Sequence, residues 1–192
     1  MSRYLVPRAA ATDPPECLDV KNLDGYPGAM RDEVDRLVEA WVRERADLDL
    51  RPMEVLSRVS RLSHHLDRAR RQAFTAHGLE SWEFDVLAAL RRAGAPYALS
   101  PGRLLKETLV TSGTMTNRVD RLAARGFVER LPDPSDRRGV LVRLTDTGRA
   151  TVDGALSELL DRERDLLTGL DAAKQQQLAT LLRSLVVPFE NG

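Results

Sequence analysis

From Ser100 to Thr145 the chain reads SPGRLLKETLVTSGTMTNRVDRLAARGFVERLPDPSDRRGVLVRLT, and this stretch leaves few folds open. Ser100 and Pro101 supply an N-cap and a proline at a first helical position. A turn of small residues follows, with Ser112 the expected cap of a second helix. There Met115, Val119 and Leu122 recur at i, i+4 and i+7 and share one face. Asn117, Asp120, Arg121 and Ala124 point the opposite way. Gly126 ends the helix as a C′ residue does. Phe127 to Leu131 and Val140 to Leu144 are short strand-like runs, joined by LPDPSDRRG. The pattern predicts a mainly α protein built on a helix-turn-helix with a small β wing.

Charge separates this stretch from the rest. Arg103 to Arg149 holds ten basic and six acidic residues, whereas the whole chain has 29 of each. A basic module in a neutral protein is the electrostatic footprint of a nucleic-acid binder. The second helix is expected in the major groove, with Ser112, Thr114, Thr116, Asn117 and Arg121 as candidate contacts. Hydroxyls near a helix N-terminus suit phosphates. Asn117 can pair with adenine, and Arg121 with guanine or phosphate. At the wing tip Arg137 or Arg138 is long enough to enter a minor groove.

The rest of the 192-residue chain frames that module. Residues 1–30 carry four prolines and no periodicity and read as a flexible tail, in which Arg3 and Arg8 could touch phosphate. Cys17, the one cysteine, excludes an internal disulfide. A first helix over Arg31 to Ala46 has the stripe Val34, Leu37, Val38, Trp41 and Val42, with Trp41 expected in the core. Pro52 opens a longer helix whose buried face reads Leu56, Val59, Leu62, Leu66, Ala69 and Ala73. His77 and Gly78 close it. Trp82 to Arg92 is apolar on most sides and belongs in the centre of the domain. Asp85, set within it, is expected to be buried and paired. Gly94 to Leu99 reads as a turn. Thr145 to Arg149 caps a helix running to Leu167, and Ala172 to Val187 forms a last one. Both are strongly apolar, so dimerisation is their expected role, shared with the first helix. No apolar run spans a membrane and no signal peptide opens the chain, so a cytoplasmic protein is expected.

SGTMTNRVDRLAARGFVER followed by DPSDRRGVLVRLTDTGRA resembles the MarR family of bacterial winged-helix transcription regulators. The resemblance extends over about Asp32 to Val187. It implies a homodimer that binds a pseudo-palindromic DNA operator and leaves it when a small molecule occupies a pocket beside the reading head. It also implies a division into dimerisation helices at about 31–78 and 146–187, flanking a winged helix at about 79–145. In the family the Asp of the DRR motif orients a wing arginine, which here assigns Asp136 to that task.

Family members often begin at the second helix, so the first one here is informative. The extra helix and its tryptophan are similar to the urate-responsive branch, where a Trp, an Asp and two Arg form the effector site. Trp41, Asp85, Arg118 and Arg130 match that set. Arg118 stands about 60° from the Met115 face, towards the core side. Arginines suit a planar anion and tryptophan stacks on it. The other role open to these groups is a structural Asp–Arg pair with a core Trp. Related proteins answer to other small anions, and some sense peroxide through an N-terminal cysteine. Cys17 has no nearby cation to lower its pKa. A metal site is disfavoured, because His64 and His65 lie about 100° apart on one helix. Neither a catalytic constellation nor a cofactor motif is present, and an enzyme is not expected.

Overall fold

The structure, a computed structural model, describes residues 31–108, 111–134 and 136–190, with the backbone alone at residues 137 and 138. The expected tail with Arg3, Arg8 and Cys17 lies outside the described residues. Two compact units divide the chain, Met1–Arg58 and Val59–Gly192.

In the first unit α1 (Glu33–Glu44) starts at Asp32. The Asp32 carboxylate accepts from the backbone N–H of Val34 (2.8 Å) and Asp35 (3.1 Å), and the Asp35 carboxylate accepts from the Asp32 N–H at 2.7 Å. This reciprocal cap satisfies donors that a helix start otherwise leaves open. Arg58, on the long helix α2 (Arg51–Ala76), ion-pairs with both Asp32 and Asp35. The Arg58 guanidinium holds the Asp32 carboxyl below its ordinary value. Val34, Val38 and Leu50 are buried, with Val42 and Met53 packed beside them. Trp41 does not join them: it is 43% exposed, and Leu37 also faces out. An apolar stripe is wider than the edge that a single neighbour covers, so its outer half stays uncovered.

The predicted inner face of α2 splits in the same way. Leu56, Val59 and Leu62 are exposed, Leu66 and Ala69 are half-buried, and only Ala73 and Phe74 are buried. A helix of 26 residues extends about 39 Å, further than the core it serves.

In the second unit α3 (Ser81–Arg92) runs through the centre, burying Phe84, Val86, Leu87, Ala88, Ala89 and Leu90. Phe84 stacks on Phe74 with ring centroids 4.1 Å apart. Around α3 lie β1 (Ala98–Leu99), α4 (Pro101–Thr108), α5 (Ser112–Ala124), β2 (Val128–Asp133) and β3 (Asp136–Leu144). Leu104, Met115 and Leu122 are fully buried there. Each contributes about 1.5–3 kcal/mol by leaving water. The strands form an antiparallel sheet in the order β1-β3-β2. The segment expected as a plain turn therefore carries a strand, with Ala98 and Leu99 opposite Arg143 and Val142. The N-cap of α5 is Thr111 rather than Ser112, and Gly126 takes the expected left-handed conformation at φ +72°.

Helix α6 (Asp146–Leu166) leaves the sheet through a tight joint. The Thr145 hydroxyl donates to the Gly126 carbonyl at 2.7 Å and accepts from the Gly148 N–H at 3.0 Å. A Cβ on Gly148 would stand 2.0 Å from the Phe127 carbonyl oxygen, so only glycine fits. Val152, Ala155 and Leu159 of α6 are buried, while Leu156, Leu160 and Leu166 are exposed. Helix α7 (Ala172–Glu190) has no buried residue: Leu181 is 57% exposed and Phe189 is 87% exposed. Among the described residues no helix is long and apolar enough to cross a membrane.

Gly148→Ala is expected to cost about 1–3 kcal/mol, the range for overpacking against a fixed neighbour. Gly102→Ala, where an added Cβ meets nothing within 4 Å, serves as the control. Urea unfolding at one protein concentration measures both, and equal midpoints would refute the close approach.

Candidate nucleic-acid interface

Helix α5 is held by a buried charge. Glu83, in the first turn of α3, is 0% exposed, and its Oε2 accepts from Arg125 Nη1 at 2.5 Å and from the Glu80 N–H at 2.9 Å. Arg125, the C-cap of α5, also donates to the Gly78 carbonyl at 2.7 Å and lies over the Phe127 ring. Among the described residues Glu83 Oε1 has no hydrogen-bond partner. The expected buried carboxylate was Asp85, and the structure corrects this: Glu83 is buried and Asp85 is exposed. Glu83, Leu87 and Leu90 fall at i, i+4 and i+7, so helical phase alone puts Glu83 on the core face.

With Met115, Val119 and Leu122 turned inward, Ser112, Thr114, Thr116 and Asn117 are exposed on α5. The Thr114 hydroxyl pairs with that of Thr111 at 2.9 Å, and Thr116 donates to the Ser112 carbonyl at 3.3 Å. The Asn117 amide makes no hydrogen bond among the described residues. Arg118 and Arg121 both lie over the Trp82 ring, at 5.4 Å and 4.7 Å from its centre. Arg121 Nη2 also donates to Glu80 Oε1 at 2.8 Å, and Trp82 Nε1 donates to Glu80 Oε2 at 2.6 Å. The Trp82 N–H, and then Arg121, hold the Glu80 carboxyl below its ordinary value.

In the wing, Arg130 on β2 donates to Asp120 of α5 at 2.5 Å, and Arg143 on β3 reaches across to Glu129 at 2.9 Å. Asp136, exposed, begins β3. The side chains of Arg137 and Arg138, and with them the expected pairing to Asp136, lie outside the described residues.

Of the predicted effector set, Arg118 therefore rests on Trp82 and Arg130 on Asp120. Asp85 makes no ion pair with either among the described residues. It lines a cleft of about 210 Å³ together with Arg70, Phe84, Ala88, Arg92, Glu107 and Thr108. Arg92 and Glu107 stand 3.7 Å apart across it. Sequence reading missed Arg70 and Arg92. Asp85 and Arg92 lie seven residues apart on one helix face, which is the signal that could have joined two of these groups. Among the described residues no three His, Cys, Asp or Glu could jointly hold a metal.

A helix-turn-helix whose second helix turns polar groups outward, followed by a hairpin closed by a third strand, is a winged helix of the DNA-binding class. Residues 77–139 match the model of the MarR family. PecS of Dickeya dadantii, an HTH-type transcriptional regulator, is 41% identical over 150 residues, covering 78% of this chain and 90% of PecS. A cysteine-to-serine mutant of MarR from Escherichia coli, complexed with operator DNA, has a TM-score of 0.58 and 31% identity, covering 72% of this chain and 99% of that one. BpsR of Bordetella bronchiseptica, from work on regulation of its DNA binding by 6-hydroxynicotinic acid, has a TM-score of 0.55 and 31% identity over 68% of this chain and 91% of that one.

The chain belongs to the MarR family, in its PecS-like branch. It is a DNA-binding transcriptional regulator and not an enzyme.

Arg125→Ala removes the cation that pairs with the buried Glu83 carboxylate. The destabilisation is expected at roughly 2–4 kcal/mol, below the range for a fully buried pair because the Arg125 side chain is 39% exposed. Thermal unfolding checks it, and a change within 0.5 kcal/mol, the size of an ordinary surface substitution, would show that Arg125 does not compensate the buried charge.

Proposed function

We propose that the chain acts as a homodimeric repressor that grips a pseudo-palindromic operator with two winged helices and releases it when a small anionic acid binds. The observation that carries the DNA half is the outward face of α5, Ser112, Thr114, Thr116 and Asn117, on a helix whose opposite face is locked into the core. Arg137 or Arg138 enters the minor groove from the wing, and Asp136 orients one of these arginines. The dimer rests on α6 and α7, whose exposed leucines have no cover within their own unit.

The effector enters the cleft beside Asp85. Its acidic group meets Arg70 and Arg92, and its ring lies against Phe84 and Ala88. The volume suits a one- or two-ring acid, since it falls below the ~300 Å³ where drug-sized sites begin. Such an occupant presses on Glu107 and Thr108 at the end of α4, the residues that lead into α5. The 6-hydroxynicotinic acid of BpsR is an acid of this size. Urate is the second probe, because Trp41, Asp85, Arg118 and Arg130 match the urate-responsive pattern.

A duplex selected from a random pool by the unmutated protein should contain an inverted repeat with half-sites about one helical turn apart. The Arg137→Ala, Arg138→Ala double variant should bind it more weakly. Its salt slope should fall by about one for each phosphate that the missing arginines no longer neutralise. Failure to select any duplex would sink the operator reading.

In fluorescence anisotropy, 6-hydroxynicotinate, urate, salicylate or aconitate should release the duplex with a coupling of about 1–3 kcal/mol. Arg92→Ala and Asp85→Asn test the cleft. Trp41→Phe, Arg118→Ala and Arg130→Ala test the pattern inherited from the branch. If none of the four acids shifts DNA affinity, the effector half is wrong. Sedimentation should give a dimer that Leu181→Glu converts to monomers, and a monomeric unmutated protein would refute the dimer.

A further inference from the structure

Trp82 and Glu80 lie outside every site assigned so far, yet they hold both arginines of the outer α5 surface. Arg118 and Arg121, one helical turn apart, lie over a single indole. Arg121 is also about 40° from Asn117 around the helix axis, so it belongs to the same outward face. A guanidinium stacked on a ring keeps its N–H edge pointing outward in its own plane. For Arg121 that edge is occupied by Glu80 Oε1 at 2.8 Å, while the Trp82 N–H fixes the other carboxylate oxygen at 2.6 Å. The pair is open to solvent, with the Arg121 side chain 53% exposed and that of Glu80 59% exposed. Carboxylate and phosphate oxygens engage an arginine fork with the same geometry.

We infer that Trp82 is a positioning residue for operator binding, and that Glu80 occupies the donor edge of Arg121 until a DNA phosphate replaces it. This rests on the operator-binding reading above. Stacking fixes two long side chains before DNA arrives, so less rotamer freedom is lost on binding. Glu80 acts in the opposite sense: it keeps Arg121 in place, and it must be displaced before the phosphate can take the fork. The indole thus raises affinity without carrying charge, and the carboxylate lowers it.

The test uses full-length protein and the duplex selected by the unmutated chain, with anisotropy at several salt concentrations and a melting curve for each variant. Trp82→Ala should weaken binding by roughly five- to tenfold, because the cation–π stacking that orders both arginines is removed. The salt slope should not change, because every phosphate-binding side chain is still present. Trp82→Phe, which keeps an aromatic face, should recover most of the affinity. Glu80→Gln keeps the shape and an acceptor for the indole N–H but removes the charge. It should tighten binding by roughly two- to fivefold, the scale of an exposed ion pair, with an unchanged melting temperature.

A Glu80→Gln protein that binds the duplex more weakly, or no more tightly, overturns the competition. A Trp82→Phe protein as impaired as Trp82→Ala overturns the stacking role. An unmutated chain that selects no duplex overturns the operator reading itself, and that result is distinct from either.

Discussion

The position of α5 depends on one carboxylate. Glu83 sits at the bottom of α3 with no exposed surface, and a lone charge there would cost several kcal/mol. Its cation, Arg125, comes from the far end of α5, so the charge is compensated only when that end of α5 is docked against the start of α3. Arg125 directs a further donor to the Gly78 carbonyl at the end of α2. Three chain segments therefore converge on one guanidinium. Apolar packing of Met115, Val119 and Leu122 would tolerate some sliding, whereas an ion pair at 2.5 Å does not. The direction in which α5 presents its polar face is set by this ion pair together with the buried Met115, Val119 and Leu122 face.

Arginine performs two different tasks along that helix. Arg125 looks inward and compensates a buried charge. Arg118 and Arg121 look outward, where an indole orders them and a carboxylate holds one of them. Arg130, from the wing, pairs with Asp120 on the same helix. The local excess of positive charge is thus only partly free. Several of its members are already engaged, and what meets solvent is a small ordered set among hydroxyls and one amide. Such a surface suits recognition of a fixed backbone geometry better than diffuse attraction does.

Much of this was legible in the sequence because it follows from period and punctuation. The Met115–Val119–Leu122 face, the Gly126 terminus and the apolar α3 stand where residue spacing puts them, and both wing strands are there, although the second begins at Asp136 rather than Val140. Chain pairing was not legible: β1 is two residues long, and nothing local distinguishes Ala98 and Leu99 from a turn until β3 lies beside them. The buried carboxylate is Glu83 and not Asp85, because a helix apolar on most sides still leaves one side to solvent and its phase puts Asp85 there. Trp41, Leu56, Val59 and Leu62 show another limit. Periodicity reports that a face is apolar, and it does not say whether the cover comes from the same unit. Of the candidate site residues, the helix face was recoverable by phase. The cleft beside Asp85 was not, since Arg70 is contributed by a helix distant in sequence.

The joint at Gly148 makes α6 a lever. Its first turn is pressed against the Phe127 carbonyl, where a single methyl group would not fit, so the start of the helix cannot close further on the wing base. Helix α6 has 21 residues, which gives an arm of about 30 Å. A tilt of roughly 5° about the joint displaces the far end by nearly 3 Å on that arm, and the same motion read backwards turns a small shift among the distal leucines into a rotation of the reading head. Glycine at position 148 is therefore what lets the arm start directly against the wing base, where translation at its far end is read as angle.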